Sequence, residues 1–416
     1  MRTFPPRITS FALGTVLWVL AACGDSAAPI APITPQSLAV TGGNLQTGCF
    51  ADPLHDSLEV TLTGSDNKPF AGAPVAWRVS SGLATIRPAL DTTDASGKSR
   101  AQLTVGFVTT RTPIAVEASS AGLSPGAFTI TPAIAPYALG QTASGTLASS
   151  DCDFGDGSFI DYYVLGLASA QSFMLSLTSG AFDAVVWVFD SATPGLAAND
   201  DSAGVVVNSF LKMIAAPGDY LVGANSYYPG ALGAYTLTTT ATPVQADSCL
   251  FDLFVTRGIT TAQTVASTDC VDTSGPYYAD LYQVVLRSGQ TITITERSTA
   301  FDAYLFLFDH SGATVASDDN SGGGSGGTDA RLTYQTTSSG DYYIAAATAA
   351  VGATGAYTLT IDPPPPTERA ATTSRSSAVL PPRPLRIAAA PPSKPALRWW
   401  DPRAARGTRV WVRPTS

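Results

Sequence analysis

Two runs along the chain are apolar at successive positions rather than at alternate ones. They cover residues 182–190 (FDAVVWVFD) and residues 301–309 (FDAYLFLFD). Both runs are rich in aromatic and β-branched residues, and a short run of this composition predicts a strand that is buried on both faces. The chain is therefore expected to contain two strands with no solvent-facing side.

The two runs are landmarks of a longer internal repeat. The other landmarks are an acidic turn at 199–202 and 318–321, a Gly-Asp-Tyr motif at 217–220 and 339–342, and a closing GAYTLT motif at 233–238 and 355–360. The offset between the copies is 119 residues at the apolar runs and 122 residues at the Gly-Asp-Tyr motifs. A nearly constant offset over several landmarks indicates duplicated domains.

Residues before the repeats alternate between apolar and polar positions in short segments. Strict alternation occurs at 58–63 and 75–79, and turn sequences lie at 64–69 and 92–98. Short alternating strands with this turn spacing predict a sandwich. Because no segment of the body has a convincing amphipathic helical pattern, the predicted fold class is all-β, with tandem β-sandwiches.

The N-terminus has the pattern of an export signal. Arg2 and Arg7 precede an apolar run at 8–20, which is short for a membrane span. The run ends in Leu-Ala-Ala-Cys, which resembles the lipobox of bacterial lipoproteins. The alternative is an ordinary signal peptide followed by an unrelated cysteine.

The lipobox resemblance implies a signal peptide at 1–22 and a lipidated Cys23 as the first mature residue. Gly24 after the cysteine implies the outer membrane or cell surface as the location. Residues 23–36 contain regularly spaced prolines and are predicted to be an extended tether. The membrane is therefore an expected partner, reached through the lipid anchor.

Length and charge limit the classes of protein that the chain can represent. A chain of 416 residues has room for about three domains. Residues 24–362 carry 11 Lys and Arg against 30 Asp and Glu, a net charge of −19. An acidic body argues against nucleic acid as a partner, because binding phosphates requires clustered Lys and Arg.

The segment at 37–132 resembles a known family. Residues 67–77 (NKPFAGAPVAW) and 93–97 (TDASG) are similar to bacterial Ig-like domains of the invasin and intimin type. The resemblance implies an Ig-like sandwich that serves as a spacer or display module on a cell surface.

The repeats, predicted at 137–243 and 247–362, resemble the bacterial pre-peptidase C-terminal domain. The second copy carries this resemblance at 280–282, 288–290, 301–305, 318–320, 339–343 and 355–359. The first copy departs from it at 168–171, where glycine is missing, and at Val185, where tyrosine is replaced. The resemblance implies jelly-roll-like sandwiches, secretion and the binding of extracellular polymers, here without an accompanying protease domain.

Four cysteines remain once Cys23 is set aside, and their even number in an exported chain favours disulfides. The favoured pair is Cys249 with Cys270, 21 positions apart, at about 3 kcal/mol on a loop-entropy estimate. Cys49 and Cys152 would then bridge the Ig-like domain and the first repeat. Four cysteines allow three pairings, so the others stay open.

The chain offers little catalytic chemistry, and no enzymatic activity is expected. It contains two histidines, His55 and His310, and neither a His-Glu-x-x-His motif nor a phosphate-binding loop. Residues 323–327 (GGSGG) match Gly-x-Ser-x-Gly, but a nucleophile elbow requires a strand, a sharp turn and a helix.

Calcium is the candidate cofactor, because turns rich in carboxylates and carbonyl groups suit a hard cation. The candidate ligands are Asp318, Asp319, Asn320, Asp329, Asp200 and Asp201. The alternative is that Asp, Asn, Ser and Gly only form tight turns between strands. Asp183 and Asp302 lie inside apolar runs, where a cap on neighbouring backbone N–H groups is expected.

The tail at 363–416 changes character. It has 12 prolines in 54 residues and a net charge of +8, and is predicted to be disordered. Trp399, Trp400 and Trp411 suggest an arm that touches anionic envelope polymers or membrane. The alternatives are a solvated tail and translated sequence downstream of a frameshift.

These patterns together predict a non-enzymatic lipoprotein of the bacterial cell envelope. Its expected role is surface display, adhesion or the binding of an extracellular polysaccharide or protein. The alternatives are an accessory or remnant of a secreted hydrolase system and a purely structural spacer. The sequence leaves the oligomeric state open.

Overall fold

The structure is a computed structural model that describes residues 32–190, 196–200, 208–244, 246, 249, 251–272, 275–362 and 411–412. Every regular element in this part of the chain is a β-strand, so the all-β prediction is confirmed. No helix in the described residues has the length and apolar character needed to span a membrane. The signal peptide, Cys23, Asp201 and nearly all of the tail lie outside the described residues.

The N-terminal sandwich consists of two facing sheets. Its strands are β1 (Pro35–Gly42), β2 (Thr47–Gly48), β3 (Leu58–Gly64), β4 (Pro74–Ser81), β5 (Ala84–Arg87), β6 (Leu90–Thr92), β7 (Lys98–Val105), β8 (Ile114–Ser119) and β9 (Gly126–Pro132). The sheet orders are β1-β3-β7-β5 and β2-β9-β8-β4-β6. The side chains of β3 point alternately into the core and towards solvent. Leu58, Val60 and Leu62 are fully buried, while the residues between them are partly exposed.

The boundary with the predicted tether lies earlier than the sequence pattern indicates. Strand β1 begins at Pro35, inside the predicted tether at 23–36. Pro35 pairs with Gly64 of β3, and the backbone N–H of Ser65 donates to the carbonyl oxygen of Thr34 at 2.9 Å. Because Pro35 begins an edge strand, its missing N–H costs no ladder hydrogen bond.

The first repeat also forms two sheets. Its strands are β10 (Ile134–Tyr137), β11 (Thr142–Leu147), β12 (Cys152–Asp153), β13 (Phe159–Leu167), β14 (Gln171–Ser179), β15 (Ala184–Phe189), β16 (Ala197–Asn199), β17 (Ser209–Ala215), β18 (Gly218–Ser226) and β19 (Gly233–Thr240). One sheet has the order β10-β13-β18-β15-β16, with β12 beside β13. The other sheet runs β11-β19-β14-β17.

The second repeat has the same strand order. Its strands are β20 (Leu253–Val255), β21 (Ile259–Val265), β22 (Cys270–Asp272), β23 (Tyr278–Leu286), β24 (Thr291–Ser298), β25 (Ala303–Phe308), β26 (Thr314–Asp318), β27 (Ala330–Gln335), β28 (Gly340–Thr348) and β29 (Gly355–Asp362). The order β21-β29-β24-β27 matches β11-β19-β14-β17, and β23-β28-β25-β26 matches β13-β18-β15-β16. The internal repeat in the sequence is therefore a repeat of strand order.

The two repeats share a sheet, although the sequence suggests separate sandwiches in series. Strand β20 pairs in parallel with β17 of the first repeat and with β23 of the second, which creates one 11-stranded sheet. Phe254 packs into the core of the first repeat, whereas Leu253 and Val255 pack into the core of the second. Alternate side chains of one short strand therefore join both cores.

The two apolar runs form the strands β15 and β25, and the prediction of burial on both faces is confirmed. One face of β15 (Ala184, Val186 and Val188) lies in the core of the first repeat. On the other face, Phe189 is buried against the N-terminal sandwich. The equivalent outer side chains of β25, Phe306 and Phe308, are buried in a separate cluster.

The N-terminal sandwich packs directly on the outer face of the first repeat. The Phe50 ring contacts the Tyr162 ring, with centroids 4.9 Å apart, and the Phe107 ring contacts the Phe189 ring at 5.9 Å. Ile160 and Leu221 from the repeat belong to the same cluster. The first sandwich and the first repeat are therefore joined by a continuous hydrophobic interface.

Two residues of the tail are described, and they form the strand β30 (Trp411–Val412). Strand β30 pairs antiparallel with β22, with Val412 opposite Val271 and Trp411 opposite Asp272. At these two positions the structure differs from the predicted disorder, because backbone pairing at a sheet edge needs no alternating sequence pattern.

Candidate functional site

Both predicted disulfides are present in the structure. Cys49 pairs with Cys152 across the interface between the N-terminal sandwich and the first repeat, with Cα atoms 5.4 Å apart. Cys249 pairs with Cys270 within the second repeat, with Cα atoms 5.1 Å apart. Cys152 and Cys270 begin the equivalent short strands β12 and β22, so both repeats are cross-linked at the same place, the first to the N-terminal sandwich and the second to its own N-terminal segment.

Asp318, the first candidate calcium ligand, acts as a turn cap in the structure. Its carboxylate accepts hydrogen bonds from the backbone N–H of Ser321 at 2.9 Å, from the Ser321 hydroxyl and from the N–H of Arg331 at 2.7 Å. Partial burial opposes ionisation of Asp318, but these hydrogen bonds outweigh it and lower the pKa of the carboxyl.

The first repeat achieves the same turn with an amide. Asn199 replaces Asp318 there, and its side-chain oxygen accepts the N–H of Phe210 at 3.0 Å. Because a neutral amide accepts the equivalent backbone hydrogen bond, that bond does not require a charged side chain. Asp200 follows this cap and is partly exposed.

The remaining candidate ligands do not converge on one point. Asp329 is buried and faces Arg297, with 3.6 Å between the Asp329 Oδ2 and Arg297 Nη1 atoms. Asp319 and Asn320 lie on the exposed side of the turn. Burial, and secondly the charge of Asp319, raise the pKa of Asp302. Among the described residues, no group of three or more His, Cys, Asp or Glu side chains is spaced to hold a metal ion.

A buried hydroxyl network explains why the two copies share an Asp-x-Tyr motif and a closing tyrosine. In the first repeat, the Tyr163 and Tyr235 hydroxyl oxygens are 2.6 Å apart, and Tyr235 donates to Asp161 at 2.6 Å. In the second repeat, the hydroxyl groups of Tyr282 and Tyr357 are hydrogen-bonded to each other, and the Tyr357 hydroxyl donates to Asp280 at 2.6 Å. Burial raises the pKa of Asp161, although the hydrogen bond from Tyr235 opposes this.

Glu296 sets the second repeat apart from the first. It is fully buried between the sheets, where the equivalent position in the first repeat is Leu177. Neither carboxyl oxygen of Glu296 has a well-formed hydrogen bond in the described part of the chain. Burial, and then the charges of Asp280 and Asp329, raise the pKa of Glu296 well above its ordinary value, and the Ala347 backbone opposes this only in part.

A groove of about 990 Å³ is lined in part by Arg297, the neighbour of Glu296, and by Asp329. Its walls are formed by β21, β29, the end of β24 and the glycine-rich loop before β27. Six Ser and Thr residues contribute hydroxyl groups to the lining, and Arg297 and Asp329 supply the charges. The first repeat has a smaller counterpart of about 610 Å³, where Thr178 and Asn208 replace Arg297 and Asp329.

The glycine-rich loop is ordered around Asp329. Gly323 and Gly324 have φ values of 85° and 80°, which favour glycine, and a Cβ at Gly324 would lie 2.7 Å from the Asp329 Cγ atom. The N–H of Gly322 donates to the carbonyl oxygen of Asp329 at 2.8 Å. Strand β27 rather than a helix follows the loop, so Ser325 does not lie on a nucleophile elbow.

Sequence reasoning missed Glu296 and Arg297. The available signal was the alternation of β24, in which Ile292, Ile294 and Glu296 occupy the same face. Glu296 continues the apolar alternation of β24, and the equivalent residue of the other copy is Leu177. An acidic residue in such a place marks an altered core position.

The fold and disulfides therefore define a class of all-β, disulfide-linked sandwich protein. A family model described as the bacterial pre-peptidase C-terminal domain matches residues 278–348, within the second repeat. No curated protein matches the chain. The match and the disulfides are consistent with an extracellular or secreted protein.

Solved structures with similarity to the chain include domains of two named proteins. The pre-peptidase C-terminal domain of a collagenase from Bacillus anthracis is 19% identical, with a TM-score of 0.22, over 26% of this chain and 94% of that chain. The D0-D1 domain of intimin is 13% identical, with a TM-score of 0.19, over 50% of this chain and 99% of that chain. The D00-D0 domain of intimin is 15% identical, also with a TM-score of 0.19, over 25% of this chain and 50% of that chain.

Proposed function

We propose that the protein is a non-enzymatic lipoprotein of the bacterial cell envelope that presents the groove of its second repeat to a neutral extracellular polysaccharide. Lipidated Cys23 would anchor the chain, and the proline-containing segment would raise the N-terminal sandwich above the outer membrane. The disulfide Cys49–Cys152 and the aromatic interface would then hold the first repeat in a fixed direction.

The observation that carries this proposal is the difference between the two grooves. Both occupy the same place in the repeat, but Thr178 and Asn208 in the first become Arg297 and Asp329 in the second. The Arg297 side chain is 59% exposed, so its guanidinium can donate hydrogen bonds to a ligand. The second groove therefore offers the stronger and more directional hydrogen bonds.

The chemistry of the groove and the body favours a neutral polysaccharide. A net charge of −19 over residues 24–362 repels a polyanion. The groove aromatics Phe301 and Tyr357 are buried, so they cannot serve as the exposed anchors on which protein partners usually depend. Hydroxyl, guanidinium and carboxylate groups can bind sugar hydroxyls without such an anchor.

The placement of the histidines and of Ser325 supports a binding role rather than catalysis. His55 and His310 are both exposed and lie in different parts of the fold. His55 contacts its sequence neighbour Asp56 at 3.0 Å, with its side chain 95% exposed. A general base needs to be within hydrogen-bond reach of a nucleophile, and neither histidine lines the groove of Ser325.

Retention on insoluble cellulose and chitin tests the proposed function. The full chain with Cys23→Ser, which accepts no lipid, is expected to bind at least one of these polymers. Arg297→Thr, which copies the first repeat, should weaken binding about tenfold or more, because a hydrogen bond from a charged group is lost. The matched control Thr178→Ala lies in the first groove and should leave retention unchanged.

Three outcomes would count against the proposed function. If neither polymer retains the protein, the spacer role is favoured. If all variants are retained equally, the groove is not part of the binding surface. Retention on collagen fibres alone would replace the polysaccharide with a protein partner.

Calcium is proposed as a ligand of the second repeat near Asp319 and Asp302. The two carboxylates repel each other, and a divalent cation would relieve that repulsion.

We expect calcium to raise the melting temperature of the full chain and a chelator to reverse the rise. Asp319→Asn should abolish the effect, whereas Asp66→Asn, on an exposed turn of the N-terminal sandwich, should not. If calcium leaves the melting temperature unchanged, these residues serve only to form turns.

A further inference from the structure

Glu296 lies directly behind the charged residues of the second groove. In β24, Glu296 is fully buried, whereas the next side chain, Arg297, is 59% exposed and lines the groove. Glu296 pairs with Ala330 of β27, which places Asp329 opposite Arg297. The ion pair of the groove and the buried carboxyl group therefore occupy adjacent positions of the same two segments.

The groups that act on Glu296 come from the elements packed around it. They are the carboxylates of Asp280 and Asp329, the phenols of Tyr282 and Tyr357, and the backbone of Ala347. Both carboxylates disfavour a negative charge on Glu296. Burial raises the pKa of both tyrosines well above 10, so neither phenol loses its proton near neutral pH. Glu296 is therefore held as the neutral acid by its surroundings.

The glycine-rich loop at 322–329 closes the structure on the groove side. Five of its eight residues are glycine. The N–H of Gly322 donates to the carbonyl oxygen of Asp329 at 2.8 Å, and the N–H of Asp329 donates to that of Gly323 at 3.1 Å. A bond of 2.9 Å from the N–H of Ala303 to the carbonyl oxygen of Thr328 ties the loop to β25. A glycine-rich segment held in this way can open locally while the sheets stay intact.

Opening of the loop would couple to the proton on Glu296. Asp329 is a buried residue of the loop whose charge acts on Glu296, so its displacement admits water to both carboxyl groups. A hydrated glutamate regains its ordinary pKa, whereas burial raises the pKa of Glu296 in the closed structure. The closed form binds the proton more tightly, so opening releases a proton and becomes more favourable as the pH rises. The open population grows by up to about tenfold per pH unit between the two pKa values.

We propose that the loop at 322–329 is a proton-controlled gate of the second groove, which is closed while Glu296 is protonated and opens as Glu296 ionises. Gly324, Ser325 and Asp329 belong to the loop and line the groove, so opening removes part of the binding surface. Polysaccharide binding therefore weakens as the pH rises, a step that rests on the proposed function. The first repeat has Leu177 in place of Glu296, so its groove has no such response.

Hydrogen exchange of the full chain with Cys23→Ser, without any saccharide, tests the gate. The N–H groups of Gly322 and Asp329 are the reporters, because both are hydrogen-bonded in the closed loop. The parent is compared with Glu296→Gln from about pH 5 to pH 8, since glutamine keeps the shape of the protonated side chain but releases no proton. We expect the ratio of the parent rate to the variant rate to rise with pH, by up to about tenfold per unit.

The core residues 281–285 of β23 distinguish the gate from unfolding of the whole repeat. Gly322 and Asp329 should exchange faster than these residues, which report on unfolding. A rate ratio that does not change with pH, or loop exchange no faster than that of 281–285, would overturn the gate. Glu296→Leu repeats the comparison without a buried amide, so the test survives if Glu296→Gln folds poorly.

Binding of cellohexaose or chitohexaose over the same pH range tests the effect on the groove. The affinity of the parent should fall as the pH rises, while that of Glu296→Gln should stay constant. Binding that is independent of pH in both proteins would overturn the link between the gate and the groove. If neither oligosaccharide binds at any pH while the loop responds, the gate is supported and the proposed function is contradicted.

Discussion

Replacing Glu296 with leucine is expected to raise the free energy of unfolding by about 1–3 kcal/mol. Glu296 is fully buried without a well-formed hydrogen bond, and leucine is the residue that the first repeat uses at this position. Chemical denaturation of the full chain measures the change. The reverse substitution, Leu177→Glu, is the matched control and should destabilise the first repeat. A loss of stability in Glu296→Leu would show that the carboxyl group contributes favourably to the core.

The advantage of Glu296→Leu should depend on pH. The raised pKa means that the folded protein keeps the Glu296 proton at pH values where the unfolded chain has lost it. Glu296 therefore destabilises the protein increasingly as the pH rises above the ordinary value of 4.5, until the folded-state pKa is passed. The stability difference between the variant and the parent should grow over this range, and a pH-independent difference would contradict the account.

Removing the disulfide between Cys49 and Cys152 is expected to have the largest effect on stability. The sequence separation is 103 residues, and closing a loop of that size stabilises the folded state by about 5 kcal/mol on the chain-entropy estimate. The double substitution to serine should lower the melting temperature and loosen the interface at Phe50 and Tyr162. Differential scanning calorimetry of the full chain measures the loss.

The second disulfide provides the control for this prediction. Cys249 and Cys270 are 21 residues apart, so their replacement by serine should cost only about 3 kcal/mol. The Cys49–Cys152 variant should also show faster hydrogen exchange at the N-terminal sandwich, which the Cys249–Cys270 variant should not. Equal losses in the two variants would mean that the packed interface, rather than the covalent link, holds the first sandwich in place.

Local patterns were sufficient to predict the elements whose environment repeats along the chain. The apolar runs became β15 and β25, because a strand with large side chains on both faces must be covered on both sides. Cys152 and Cys270 were recognisable as equivalent from their shared position before the first long strand of each copy. The disulfides followed from that equivalence and from the spacing of Cys249.

Features that depend on contacts between distant elements were not predictable in the same way. The pairing of β20 with both repeats arises because a three-residue apolar segment lies between two sheet edges. The groove combines β21, β24, β29 and a loop, so no local pattern contains it. Glu296 is visible only when both copies are aligned and the burial of β24 is known.

The acidic turns show how one sequence pattern can have two physical causes. The carboxylate of Asp318 could bind a cation or accept backbone hydrogen bonds, and spacing alone does not distinguish these roles. In the structure its oxygens accept hydrogen bonds from Ser321 and Arg331. The equivalent Asn199 accepts a similar bond from Phe210, which supports turn formation as the shared role.

Hydrogen exchange with a bound oligosaccharide tests the proposed binding site most directly. The full chain is compared with and without saturating cellohexaose or chitohexaose. We expect protection at 262–264, 297–301, 324–329 and 356–358, with no change at the first groove, 144–146, 178–180 and 234–236. Protection of both grooves to the same extent, or protection confined to residues outside the second groove, would contradict the proposed role of Arg297 and Asp329.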